Sequence, residues 1–139
     1  MTYEEFLQLR GRGDTVLVDL RTGEGGGDDI DLAAFLPDAE VVAPPPGRRG
    51  ALRAGLEHKD RRGLRTPELP GWVRRAFRAP DATYVLIDDG DGRAADAVAA
   101  RLAARPGLRA FVLAGGARVL ASGGEVREVK QRNGEVVDD

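Results

Sequence analysis

The chain has 139 residues, a formal net charge of −2 and no cysteine. That length suits one domain with a substantial core, and the lack of cysteine excludes disulfides, thiolate metal sites and all thiol chemistry. A balance so close to neutral singles out neither nucleic acid nor an anionic membrane as a partner.

The N-terminus opens with Thr2 and, three residues on, Glu5, which is a capping-box pattern. Tyr3, Phe6 and Leu7 then give a helical apolar stripe to about Arg10, and Gly11 and Gly13 stop it. This start carries acids where a secretory signal carries basic charge. No run approaches the roughly 18 apolar residues of a membrane span. The expectation is a cytoplasmic protein without membrane contact.

"TVLVDL", Thr15 to Leu20, is too apolar to face water on one side and predicts a central parallel strand. "GEGGGDD", Gly23 to Asp29, is an exposed loop. "DLAAFL" predicts one helical turn, and "AEVVAP" a short strand ended by Pro44 to Pro46. Residues 13 to 40 hold eight acids against Arg21 alone, whereas 48 to 65 hold seven Lys or Arg against Glu57 and Asp60. These are read as two solvated faces of opposite charge, with 47 to 65 a mobile loop. His58 falls in that loop, within "LEHKDRR", as a solvated surface imidazole.

Thr66-Pro67 reads as a helix cap and first turn, with Trp72, Val73, Ala76 and Phe77 on one apolar face behind it. "TYVLID", Thr83 to Asp88, predicts a third strand, and Arg93 to Arg105 a helix ended by Pro106-Gly107. "AFVLAGG", Ala110 to Gly116, predicts a fourth strand closed by a tight turn. In the tail "VREVKQRNGEVV", Asn133-Gly134 is a two-residue hairpin signal. Strands alternating with helices predict an α/β domain over 1–121, followed by a hairpin or extended tail over 122–139. Its sheet would be mostly parallel, with four or five strands and helices on both faces. In such sheets the site lies beyond the carboxyl ends of the strands. That places Asp19, Arg21, Asp88 to Arg93 and Gly115-Gly116 on one rim.

The segment "DDGDGR", Asp88, Asp89, Gly90, Asp91, Gly92 and Arg93, sits where an anion-binding loop usually leads into a helix, yet it is acidic. It admits three readings. Gly90 to Ala95 fits the dinucleotide pattern G-x-G-x-x-A, but the surrounding acids repel a pyrophosphate. Asp88, Asp89 and Asp91 could instead form a carboxylate nest for Mg²⁺, with an aspartate serving phosphoryl transfer or hydrolysis. No lysine follows before Lys130 to balance a transferred group. In the third reading Asp88 or Asp89 accepts the first-turn amides of the helix, so the loop supplies its own anion and Arg93 helps to neutralise it.

Four segments taken together resemble the rhodanese-like (sulfurtransferase) family. "TYEEFLQLRGRGDTVLVDLRTGE" is similar to that family's opening helix, strand and Asp-x-Arg signature, with Asp19 and Arg21 in the matching places. "FLPDAEVVAPP" resembles its His-Ile-Pro-Gly-Ala segment, keeping Pro37 and Ala39 but showing Phe35 and Asp38 for the histidine and glycine. "YVLIDDGDGRAADAVAARL" is similar to the active-site strand, loop and helix, and "FVLAGGARVL" to the closing Leu-x-Gly-Gly turn. The resemblance implies a rhodanese-like fold in which Asp88 stands where the family keeps its catalytic cysteine. A carboxylate cannot accept and donate sulfane sulfur, so the family mechanism is excluded. An aspartate here also resembles the non-catalytic halves of tandem family members. The implied function is a structural, regulatory or protein-binding module without a cofactor, using Asp19, Arg21 and Arg93 as binding residues and the loop Asp88 to Arg93 as a vestige. Its partner would be another protein or domain, and the basic segment 48–65 would share the contact.

Overall fold

The computed structural model describes residues 1–23 and 29–123. Their order is α1 (Tyr3–Leu7), β1 (Thr15–Asp19), a 3-10 turn (Leu32–Ala34), β2 (Glu40–Val42), α2 (Arg49–Leu56), α3 (Gly71–Arg75), β3 (Thr83–Ile87), α4 (Arg93–Leu102), β4 (Arg109–Val112) and α5 (Gly116–Ala121). The four strands form one parallel sheet in the order β2-β1-β3-β4. The expected α/β architecture is therefore present. The Asn133-Gly134 hairpin and most of the 122–139 tail lie outside the described residues.

Every residue of the central strands β1 and β3 is buried, which is why their sequences do not alternate. Even-numbered side chains enter one core and odd-numbered ones the other. Val16, Val18, Tyr84 and Leu86 pack with Leu52, Trp72, Phe77 and Val98 beneath α2, α3 and α4. Leu17, Val85 and Ile87 pack with Phe6, Leu36 and Leu120 on the opposite face. Full burial of each large side chain stabilises the fold by about 1.5 to 3 kcal/mol relative to exposure. The Phe77 and Tyr84 rings lie 4.8 Å apart at 55°, and the Tyr84 hydroxyl donates to Ala79 O at 2.9 Å and accepts from Ala79 N at 2.8 Å.

At the N-terminus the capping box forms in full: Glu5 N donates to Thr2 Oγ1 at 3.1 Å, and Thr2 N to Glu5 Oε1 at 2.8 Å. The Met1 ammonium donates to Val112 O at 2.9 Å, which ties the start of the chain to the end of β4.

Three segments differ from the sequence expectation. The basic stretch is not an irregular loop, because Leu52 and Leu56, four residues apart, are both buried on one face of α2. Its continuation is ordered by Asp60, whose Oδ1 accepts from Arg62 N at 2.8 Å and Leu64 N at 3.0 Å. His58 meets Thr66 through Nδ1, 2.9 Å from the carbonyl and 3.1 Å from the hydroxyl. Thr66-Pro67 is thus not a helix start. α3 begins four residues past Pro67, at Gly71 behind Pro70, while Trp72, Val73 and Phe77 are buried as expected. Finally, the turn at Gly115-Gly116 leads into α5, whose Ala117, Val119 and Leu120 cover the Phe6 side of the sheet.

The link from β1 to β2 carries Leu32 and Leu36 into the Phe6 core, whereas the link from β3 to β4 runs through α4 on the Trp72 face. Neighbours β1 and β3 therefore send the chain to opposite faces, which opens a crevice at their carboxyl ends. Asp19 and Asp88 stand there.

Candidate functional site

Asp19 ends β1 and is 2% exposed. Arg21 reaches back to it with N, Nε and Nη2 at 3.1, 2.9 and 2.8 Å. Arg49 approaches from α2, placing Nη1 3.0 Å from Oδ1 and Nη2 2.7 Å from Oδ2. One carboxylate is thus gripped by two guanidiniums, both in bidentate geometry. Arg21 is itself 6% exposed and also donates to Ile30 O at 2.8 Å. Burial alone would raise the Asp19 pKa, but the hydrogen bonds and charges of Arg21 and Arg49 outweigh it and hold the carboxyl below its ordinary value. Asp19 and Arg21 were expected on the rim as binding residues, and the structure places both there. Their groups face each other, and they act as an internal clamp joining β1 to α2.

Asp88, also 2% exposed, follows β3 directly. Its Oδ1 accepts from Gly90 N at 2.9 Å and its Oδ2 from Ala95 N at 3.1 Å. Gly92 occupies the cap of α4 and has no side chain to offer, so Asp88 serves the third residue of the helix from a distance of seven positions. Asp91 serves the first, taking Arg93 N on Oδ1 at 3.0 Å. Desolvation pushes the Asp88 pKa up, and although the amides of Ala95, Gly90 and Gly92 pull against it, burial and the nearby Asp91 prevail.

The Gly115-Gly116 turn locks the Asp88 loop. Ala117 N donates to Asp88 O at 2.8 Å. Gly116 has φ +52°, and a Cβ built there would lie 2.5 Å from Asp88 O and 2.7 Å from Asp88 Oδ1. Only glycine fits this approach.

The three loop carboxylates do not converge. Asp88 faces backbone amides, Asp91 faces the Arg93 amide, and Asp89 Oδ2 accepts from Thr22 N and Oγ1 at 3.0 and 2.6 Å. Among the described residues no group of three His, Cys, Asp or Glu side chains is placed to hold a metal ion. The Arg93 guanidinium meets Glu57 at the end of α2, which also pairs with Arg65 at 3.4 Å. The depression between Thr22, Asp89, Asp91 and Arg93 holds only about 10 Å³, room for about one water molecule.

A search of family models, curated proteins and solved structures found no match to the chain. The chemistry must be read from the residues themselves. A carboxylate fills the amide cradle at the head of α4, and beside it Arg21 and Arg49 pair with Asp19.

Sequence reasoning identified Asp19, Arg21 and the Asp88 to Arg93 loop, and the fold brings them to one rim. It missed Arg49, Thr22 and Glu57. The basic segment offered several equivalent arginines, and only the helical phase fixed by Leu52 and Leu56 turns Arg49 toward Asp19.

Proposed function

We propose that this chain is a rhodanese-like domain without sulfurtransferase chemistry, acting as a structural, regulatory or protein-binding module. The observation that carries the reading is the Asp88 carboxylate on the Gly90 and Ala95 amides. In a sulfurtransferase those donors and the helix dipole would stabilise a thiolate or persulfide. Here a carboxylate occupies that seat, and it has no route to sulfur transfer.

Function then rests on surface contact with another protein or domain. The surface we assign to it runs from the site rim along α2 to the turn at Asp60 to Arg65. That turn presents Leu64, 55% exposed, between Arg62 and Arg65. Neither nucleic acid nor a membrane belongs to this reading.

The test is a thiosulfate and cyanide assay on the wild type and on Asp88→Cys. The wild type should give no thiocyanate above background. Asp88→Cys should give little or none, because Asp89, Asp91 and the ion pairs still fill the space around the loop. Turnover by the wild type would refute the reading, and strong turnover by Asp88→Cys would show that one substitution alone silences an otherwise intact site.

A further inference from the structure

Between α3 and the C-terminal half of α4 lies a cavity of about 260 Å³, and no residue of the Asp88 to Arg93 loop lines it. Its apolar lining is Leu69, Val73, Phe77, Val98 and Leu102. The remaining lining residues are Arg74, Arg101 and Arg105, and none is acidic.

Each arginine is fixed by a backbone carbonyl. Arg74 Nη1 donates to Leu69 O at 2.9 Å, Arg101 Nη2 to Pro67 O at 2.7 Å, and Arg105 Nη2 to Phe77 O at 3.0 Å. A guanidinium carries five N–H donors, so most remain for another acceptor. Among the described residues none of the three forms an ion pair. Three like charges around one apolar hollow repel one another, and an anion placed between them would relieve that repulsion.

We infer that this cavity binds a small amphiphilic monocarboxylate, with the aliphatic body against Phe77, Val98 and Leu102 and the carboxylate between the guanidiniums. The cavity is a compact notch slightly smaller than most drug-sized ligand sites. It suits an acid of about eight carbon atoms better than an extended polypeptide. Arginine held in place in advance is the residue type that recognises carboxylate in paired geometry. The inference stands apart from the reading of the Asp88 loop and survives or fails without it.

The experiment titrates the ¹⁵N-labelled chain with octanoate, hexanoate and octan-1-ol while following backbone amides. Octanoate should shift Val73, Phe77 and Val98 saturably, and hexanoate should bind roughly 15-fold more weakly, since each buried methylene contributes about fourfold. Octan-1-ol should bind the wild type at least tenfold more weakly than octanoate does, and the double variant Arg74→Glu/Arg101→Glu should bind octanoate at least tenfold more weakly than the wild type does. Both arginines are exposed, so the variant's fold can be checked by its unperturbed spectrum. Absence of saturable shifts, shifts centred elsewhere, equal binding of the alcohol, or full binding by the double variant would overturn the inference. So would an acidic peptide that binds this notch when octanoate does not.

Discussion

Replacing Asp19 with Asn keeps the shape of the clamp and removes its charge. Five hydrogen bonds converge on this carboxylate, four of them from guanidinium groups. Adding about 1.5 to 3 kcal/mol for each charged bond would exceed the whole stability of many domains. That sum omits the desolvation of the ions, which opposes it. What the substitution exposes is the other half of the pair: Arg21, 6% exposed, keeps its charge while the Asp19 charge it pairs with is gone. Breaking a buried pair in this way costs about 3 to 5 kcal/mol. Urea unfolding followed by far-ultraviolet circular dichroism and by the single tryptophan, Trp72, should show that loss. Arg49→Met should cost less, about 1 to 2 kcal/mol, because the Arg49 side chain is 36% exposed and Asp19 keeps Arg21. A loss below about 1 kcal/mol for Asp19→Asn would refute the idea that the Asp-x-Arg pair is an internal clamp.

Opposite pH dependences are expected at the two buried carboxyls. Asp19 is held below its ordinary 3.8, so its contribution is present above that value and disappears as pH falls through its folded pKa. Asp88 is raised above 3.8, so its contribution is complete below that value and is lost as pH rises through the folded pKa. The stability difference between wild type and Asp88→Asn, measured from about pH 3.5 to 7, should therefore move against the wild type as pH rises; a flat difference would contradict it. Asp88→Ala should destabilise by about 0.5 to 2 kcal/mol in thermal unfolding, since the Ala95 and Gly90 amides lose their acceptor; equal stability would contradict the cradle. Gly55→Ala should destabilise despite alanine's better helix propensity, because its Cβ would lie 2.0 Å from Glu68 O; the net loss expected in urea is about 1 to 2 kcal/mol. Millimolar Mg²⁺ should leave the melting temperature unchanged, and a rise abolished by Asp88→Asn would favour a metal-dependent enzyme instead.

The parts legible in the sequence were those where local pattern and tertiary setting agree. "TVLVD" and "TYVLI" read as doubly buried strands because neither face needs a polar residue, and the Thr2/Glu5 box announced α1 directly. α2 was obscured because Arg48 provides no side-chain cap and Gly50 and Gly55 dilute the helical signal. Gly55 is there for space: Glu68 N donates to its carbonyl at 2.9 Å, and the segment after Thr66 crosses too closely for a side chain. Thr66-Pro67 imitated a helix start because a threonine that hydrogen-bonds to a distant His58 looks, in sequence, like one that caps. The Asp88 loop was legible because an acid at the head of a helix has a local explanation. Arg49 was not, since its role depends on a contact 30 positions away.

The seat of Asp88 can be examined most directly by nuclear magnetic resonance, following the Asp88 carboxyl carbon and the Gly90 and Ala95 amides through a pH titration with and without thiosulfate. The account expects both amides to titrate together with the carboxyl, above the ordinary aspartate range, and thiosulfate to leave all three unmoved. Amides that ignore the carboxyl, or that shift when thiosulfate is added, would mean that the cradle is open and that the seat belongs to an outside anion.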